Sequence, residues 1–532
     1  MGRRALSRGL LALAALALAA AAPPALAQGA AAAARYPQWG GLEPGPYGVG
    51  FTVVQAYDYT RPYWPRTDWR GRPAEGETAR PMQLAIWYPA RAAAQAEARG
   101  ARAMTFGDYL RVAGGELGAG LRADSLRREV EREFRGGPLA PYFEGGVSDS
   151  AYRRVLATPV AAVRDAPPAA GRFPVLANGG IGGPLTHSVR MEYLASHGYV
   201  VVAIPLLNSG PAFHGRGEWT AKAMQAAAED VGFVYGFVRS LPYADRDRFA
   251  VVGMGSHAGV LFQMRTMRLS ALASLEGQYP EALRRSPDYD LARVRVPVLD
   301  AMNSDYNGDR VDPMLDSMRY ADRWVLRFAD LPHAQTYQFP RVAHPERAAE
   351  QRGYEVVSRY ALEFFDATLK GDTAAAAYLA RAPEGNGLPP GFMTVRHLPA
   401  QPAVPTEGEL LLLVREGRVN EAAAAYAEAT ARDSAYRGFS YQALADVAFF
   451  VMRDHGPRVA LGAYQLLLAA YPGVPRTHYM MAQAHERLGD RDGAVRELER
   501  ALAALSSSPS IAEAERARWD RDIRGQIERL RR

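Results

Sequence analysis

The chain contains no cysteine. That excludes disulfides, thiolate metal sites, a cysteine nucleophile and a lipid-modified N-terminal cysteine, and it leaves stability to packing. Lysine is nearly missing as well, since Lys222 and Lys370 are the only two among 63 basic residues. With the abundance of alanine, this arginine bias points to a GC-rich bacterial genome. Beyond residue 27 no run reaches the roughly 18 apolar residues that a membrane-spanning helix needs. Nor is one sign of charge concentrated. The net charge of +6 is dispersed over 532 residues, with Arg3, Arg4 and Arg8 in a segment expected to be removed, so the composition argues against a nucleic-acid partner.

What the chain does have is ordinary globular material, 48% hydrophobic and 23% charged, with length enough for two to four domains. A positive start, an apolar run from Leu10 to Ala22 and the small-residue exit Ala25-Leu26-Ala27 form the pattern of a secretory signal peptide over residues 1–27, with cleavage expected before Gln28. The mature protein is therefore expected in a bacterial periplasm or outside the cell. Residues 28–45 read as a mobile Ala/Gly-rich stretch.

The segment GVGFTVVQAYDYTRP alternates and is β-branched, and RPMQLAIWYPA, Arg80 to Ala90, reads as its antiparallel partner. Residues 101–163 read as a helical insertion, either a lid or a peripheral one. From Arg172 short apolar strands alternate with helical stretches: FPVLAN, YVVVAIP, FAVVGM, LSALASLEG, VRVPVLDAMN and WVLRFAD. That alternation predicts an α/β fold, a mostly parallel doubly wound sheet over residues 46–382, with ligands collecting at the carboxyl ends of the strands. Residues 383–406 are rich in Pro and Gly and read as a linker. In residues 407–532, YMMAQAHERLGDRDGAVRELERAL places small residues at Ala482, Ala494 and Ala501 around the helix-breaking Gly489-Asp490 and resembles a tetratricopeptide repeat. A plain all-α bundle is the other reading of this domain.

The stretch FAVVGMGSHAGVLF, Phe249 to Phe262, reads as strand, glycine-rich corner and helix. A nucleophile elbow needs a serine at such a corner with very small residues two positions either side. With Ser256 at the tip those neighbours are Met254 and Ala258; with Gly255 at the tip they are Gly253 and His257. The pattern V-G-x-S-x-G-G fits Ser256 once one residue is inserted, and Ser256 is the preferred tip because the fit recovers the serine together with small residues after it. The alternatives are Gly255 at the apex of a chemically silent corner, or Ser256 as a helix cap.

Taken in order, RPMQLAIWYPA, FPVLANGGIGG, EYLASHGYVVVAIP, SLEG, MNSDYN and LPHAQ make residues 46 to about 370 resemble the platelet-activating-factor acetylhydrolases and their dienelactone-hydrolase-like bacterial relatives, which are α/β-hydrolases. The resemblance implies a serine esterase with Ser256 as nucleophile. Glu276 is implied as the acid that orients the histidine, with Asp305 as the alternative. His333 follows in the chain order that this fold uses and is the expected general base, ahead of His187, His197, His214 and His257. Backbone amides of His257 and of Gly180 or Ile181 would form the oxyanion hole. Asn178 and an extra glycine replace the histidine-glycine pair usual at that turn. NGGIGG lacks the lysine and Ser/Thr of a phosphate loop, no HExxH is present, and His333 and His344 do not share a helical face, so no cofactor or metal is implied.

The sequence thus leads to an exported ester hydrolase acting on a short-acyl or lipid-like small molecule, with a protein partner for the helical repeats. The rival is a catalytically inactive scaffold of the same fold that binds a partner through its repeats. In a third reading the repeats only stabilise the chain.

Overall fold

The segments VVVA and VLDAM carry no polar rim. Each of their residues is buried, a pattern that can be satisfied only by a strand covered on both faces. The computed structural model, which describes residues 36–91, 103–116, 148–179, 183–203, 221–253, 268–276, 294–302, 304, 312–508 and 511–532, places both segments inside a sheet.

Eleven strands build it: β1 (Gly48–Pro62), β2 (Ala79–Ala90), β3 (Ala103–Thr105), β4 (Pro159–Arg164), β5 (Phe173–Gly179), β6 (Val200–Ala203), β7 (Ala244–Gly253), β8 (Ala271–Glu276), β9 (Val298–Met302), β10 (Arg323–Phe328) and β11 (Met393–Leu398). Their spatial order is β11-β10-β9-β8-β7-β5-β6-β2-β1-β4-β3. From β6 through β5, β7, β8 and β9 to β10 every pairing is parallel, while β2 joins β6, β1 joins β2 and β11 joins β10 antiparallel. The chain leaves β5 for β6 on one side and returns to β7 on the other, so the direction of winding reverses between β5 and β7.

The helices of this unit are α1 (Phe106–Glu116), α2 (Asp149–Ala157), α3 (Gly183–Ser196), α4 (Ala221–Val238), α5 (Asp312–Ser317), α6 (Phe339–Ala343), α7 (Arg352–Phe365) and α8 (Thr373–Ala380). Alternation along each strand sends Leu176, Val252, Ala273 and Leu299 to a face covered by α3 and α7. Val175, Val251, Leu272 and Val298 go to the opposite face, under α4 and α5. Each fully buried Val or Leu is worth roughly 1.5–3 kcal/mol, so these two layers hold the sheet between helices without any covalent staple.

Three expectations are corrected here. The stretch expected to be mobile to residue 45 is tied down from residue 36 onward: Tyr36, Trp39 and Leu42 join the core, and Arg341 donates to the carbonyls of Gln38 and Trp39, both at 2.9 Å. The apolar bulk of Tyr36, Trp39 and Leu42, which an Ala/Gly stretch lacks, supplies the burial. The 101–163 insertion is not purely helical, because β3 and β4 lie at its ends as the last two strands of the sheet; residues 117–147 are outside the described residues. Finally, the segment read as a linker, 383–406, contains β11, whose six residues pair with β10 from Met393↔Phe328 to Leu398↔Arg323.

The chain divides into a unit ending at Gln401 and a second comprising Pro402–Arg532. The second is helical: α9 (Glu407–Arg415), α10 (Val419–Arg432), α11 (Tyr441–Asp454), α12 (Pro457–Ala470), α13 (Pro475–Arg487), α14 (Arg491–Ser506) and α15 (Glu513–Arg531). Thr406 and Glu409 close a reciprocal capping box on α9. Buried Ala482, Ala494 and Ala501 let α13 and α14 pack closely, and Gly489 takes the left-handed φ of 76° that ends α13, a region costly for any residue with a Cβ. Among the described residues no helix is long and apolar enough to cross a membrane.

Candidate functional site

The parallel strands all point their carboxyl ends to one edge, and the register fixes what meets there. Gly179, Gly253, Ser274, Asp300 and Val325 form one row across β5, β7, β8, β9 and β10. Two residues further on, Glu276, Met302 and Arg327 form the last row. Where the winding reverses, at the crevice between β5 and β7, the paired residues are Gly179 and Gly253, neither of which carries a Cβ. In open α/β sheets this is where ligands bind.

His333 reaches the same edge from β10. It opens a 3-10 turn, His333–Thr336, whose Thr336 hydroxyl donates to the His333 carbonyl at 2.7 Å. The turn is held from two directions. The Leu331 amide donates to Ser304 Oγ at 3.0 Å while the Ser304 amide donates to the Leu331 carbonyl at 2.8 Å, which clasps the loop after β9 to the loop after β10. From α3, Arg190 donates to the Thr336 carbonyl at 3.2 Å, and the Val189 amide donates to the buried Gln338 side chain at 2.8 Å. The His333 ring stands edge-on to Tyr337 at 5.1 Å, and Tyr337 stacks on His187 at 5.6 Å.

The rival histidines separate by position. His187 is buried against Tyr337 on α3. His197 follows α3 at the opposite edge of the sheet, just before β6; burial holds its pKa down at about 4 although its Nδ1 lies 2.9 Å from the Tyr193 carbonyl. It is neutral at physiological pH and far from the carboxyl edge. His214 and His257 lie outside the described residues.

Glu276 is the last residue of β8, in the edge row beside Met302, and its placement is known for the backbone only. Ser256, His257, Gly180, Ile181 and Asp305 lie outside the described residues. Ser256 follows the end of β7 by three positions, Gly180 and Ile181 follow Gly179 directly, and Asp305 follows the clasped Ser304. The structure therefore positions His333, the strand ends and the glycine-paired crevice, and it neither joins nor separates Ser256 and His333.

Sequence reasoning missed Asp300 and Ser274 as buried polar residues at this edge, and it noted Asn178 only as a departure at the glycine turn. Asp300, fully buried in β9, meets Arg327 of β10 at 3.1 Å, which supplies the partner that a buried carboxylate requires. Ser274 occupies the neighbouring position on β8, on the same face. Asn178, only 5% exposed, sits on the opposite face of β5 with its Nδ2 buried and without a hydrogen-bond partner among the described residues. A lone Asp inside VLDAM and a lone Asn closing FPVLAN were the available signals, since both residue types are depleted in strands.

No protein-family model matches the chain, and no curated protein matches it. Among solved structures it is similar to a ferulic acid esterase from Streptomyces cinnamoneus, at 18% identity, covering 61% of this chain and 91% of that one, with a TM-score of 0.39. A likeness this loose transfers neither residues nor activity.

Proposed function

We propose that the chain is an exported serine hydrolase of the α/β-hydrolase type that cleaves an ester of a small molecule. In this reading Ser256 Oγ attacks the ester carbonyl and His333 takes its proton. His333 then passes that proton to the departing alkoxide, and water releases the acyl group from Ser256 by the same route in reverse. Glu276 orients His333, with Asp305 as the alternative acid. Amides of His257 and of Gly180 or Ile181 stabilise the oxyanion. A short-acyl or lipid-like ester is the proposed substrate, and the helical unit, read as tetratricopeptide-like, binds a protein partner.

The observation that carries this reading is the position of His333, fixed from α3 and from the β9 loop at the carboxyl edge that also ends β7 three residues before Ser256. A fluorophosphonate probe tests it. Labelling of the purified chain that disappears in Ser256→Ala supports the nucleophile; absence of labelling, or labelling unchanged in that variant, refutes it and leaves the inactive scaffold.

A further inference from the structure

β1 and β2 continue past the rest of the sheet as a two-stranded hairpin, because β6 pairs with β2 only over Ala85–Trp87. Its tip, residues 63–78, folds back on itself: the Asp68 amide donates to the Arg72 carbonyl at 2.8 Å and the Ala74 amide to the Arg66 carbonyl at 2.9 Å. Among the described residues of the first unit, the exposed large hydrophobic side chains are Tyr57, Tyr59, Trp64 and Trp69, and all four sit on this hairpin. Trp69 is 84% exposed. A concentration of apolar rings on one surface element is the usual mark of a binding surface, because it loses contact energy to water for no gain in folding.

The rings do not form a flat patch. Tyr57, Trp64 and Pro81 wall a hollow of about 580 Å³ whose remaining lining includes Asp68, Glu75 and Glu77. That volume is in the range of small-molecule sites. Although the chain as a whole is basic, no arginine or lysine is among the described residues that line this hollow. Asp68 is engaged by Arg72 and Glu77 accepts from the Ala79 amide at 2.7 Å, while Glu75 makes no ion pair among the described residues. Nor do three carboxylates or histidines converge anywhere among the described residues closely enough to hold a metal ion. The carboxylates are instead spread around an apolar interior.

We propose that this hollow binds a small organic ammonium ion. Aromatic faces attract a cation through the ring quadrupole, and carboxylates at the rim add charge complementarity, whereas an apolar neutral ligand would gain only from the rings. The hairpin already carries two such contacts, the Arg70 guanidinium 4.3 Å from the centre of the Trp69 ring and the Arg80 guanidinium 5.6 Å from that of Tyr63, both outside the lining of the hollow. None of the residues lining the hollow is one of the proposed hydrolase residues, so the proposal stands or falls independently of the hydrolase reading.

The test uses the full-length protein and saturation-transfer NMR or calorimetry with tetramethylammonium and n-butylammonium, each set against its uncharged counterpart, tert-butanol and 1-butanol, and against glucose. Saturable binding of the cations in a range on the order of 0.1–10 mM, about tenfold tighter than the alcohols and weakened by added salt, supports the site. Trp64→Ala should abolish it. Because that change could disturb the hairpin, the double substitution Glu75→Gln with Glu77→Gln is the second arm and should weaken cation binding about threefold or more while leaving the alcohols unaffected. Equal binding of alcohols and cations, binding of glucose alone, no saturable binding, or wild-type affinity in the double variant each overturns the proposal.

Discussion

Ser304 and Leu331 hold each other by two hydrogen bonds, the Leu331 amide on the Ser304 hydroxyl and the Ser304 amide on the Leu331 carbonyl. The clasp spans two parallel strands and ties the loop that leads to Asp305 to the loop that leads to His333. Below it, Asp300 and Arg327 pair between the same two strands. The outer part of the carboxyl edge is thus braced at two levels, and a histidine carried on it inherits a defined position.

Removing the hydroxyl should show this. Ser304→Ala deletes the acceptor for the Leu331 amide and leaves the reverse bond intact, so stability should fall by about 0.5–1.5 kcal/mol in a denaturant titration. If the loop after β10 carries the general base, the same change should lower the rate of fluorophosphonate labelling. Full labelling rate with reduced stability would make the clasp purely structural.

His333 and His197 offer a paired comparison. His333→Ala should abolish labelling at Ser256, because in the proposed reading its imidazole is the base that takes the serine proton. His197→Ala should leave labelling intact and cost about 1 kcal/mol of stability through the lost bond to the Tyr193 carbonyl. Loss of labelling in both variants, with both folded by circular dichroism, would contradict the assignment.

How far the sequence revealed these features depends on where the partners lie. β6 is a contiguous apolar run and β9 one interrupted only by Asp300, and both could be read directly. β11 could not, since a strand at the sheet's edge buries little beyond Met393 and follows Pro389, Pro390 and Gly391, which signal a turn. Trp39 looked like part of a loose leader because its partners are distant: Glu192 lies 153 residues on and Arg341 302 residues on. Asp300 was overlooked for a related reason, as a polar residue within an apolar strand declares its role only when Arg327 of the next strand is known. The order of strand ends was legible, and with it His333, whereas the network that fixes His333 was not.

Glu192 predicts a pH dependence. This buried carboxyl of α3 accepts from Trp39 Nε1 at 3.2 Å, Tyr109 Oη at 2.6 Å, and the Ala161 and Ala162 amides at 3.2 and 3.4 Å. Burial outweighs these donors and raises its pKa from 4.5 to about 7. The folded chain therefore holds this proton more tightly than the unfolded chain does. The contribution is fully present below about pH 4.5 and is lost as pH rises through about 7. Glu192→Gln, which cannot ionise, should remove that slope. Between pH 5 and pH 8 the stability of the wild type relative to the variant should fall by on the order of 1–3 kcal/mol. A constant difference across that range would mean that Glu192 stays ionised throughout.

Asp230 of α4 serves two arginines from the hairpin with its two oxygens. Arg80 donates from Nε at 2.7 Å and from Nη2 at 2.6 Å, and Arg61 donates from Nη2 at 2.7 Å. Asp230 and Arg80 are both buried. Asp230→Asn keeps the shape but removes the charge that compensates two guanidinium groups, and amide hydrogens would replace one acceptor. Breaking a buried pair from one side typically costs about 3–5 kcal/mol, more than the pair itself contributes when intact. Arg80→Met should cost less than Asp230→Asn, because it removes the buried cation itself and leaves Asp230 still paired with the half-buried Arg61. Chemical denaturation of the two variants checks the ranking. If Arg80→Met is the more damaging, the contact of the Arg80 guanidinium with the Tyr63 ring matters more than charge balance at Asp230.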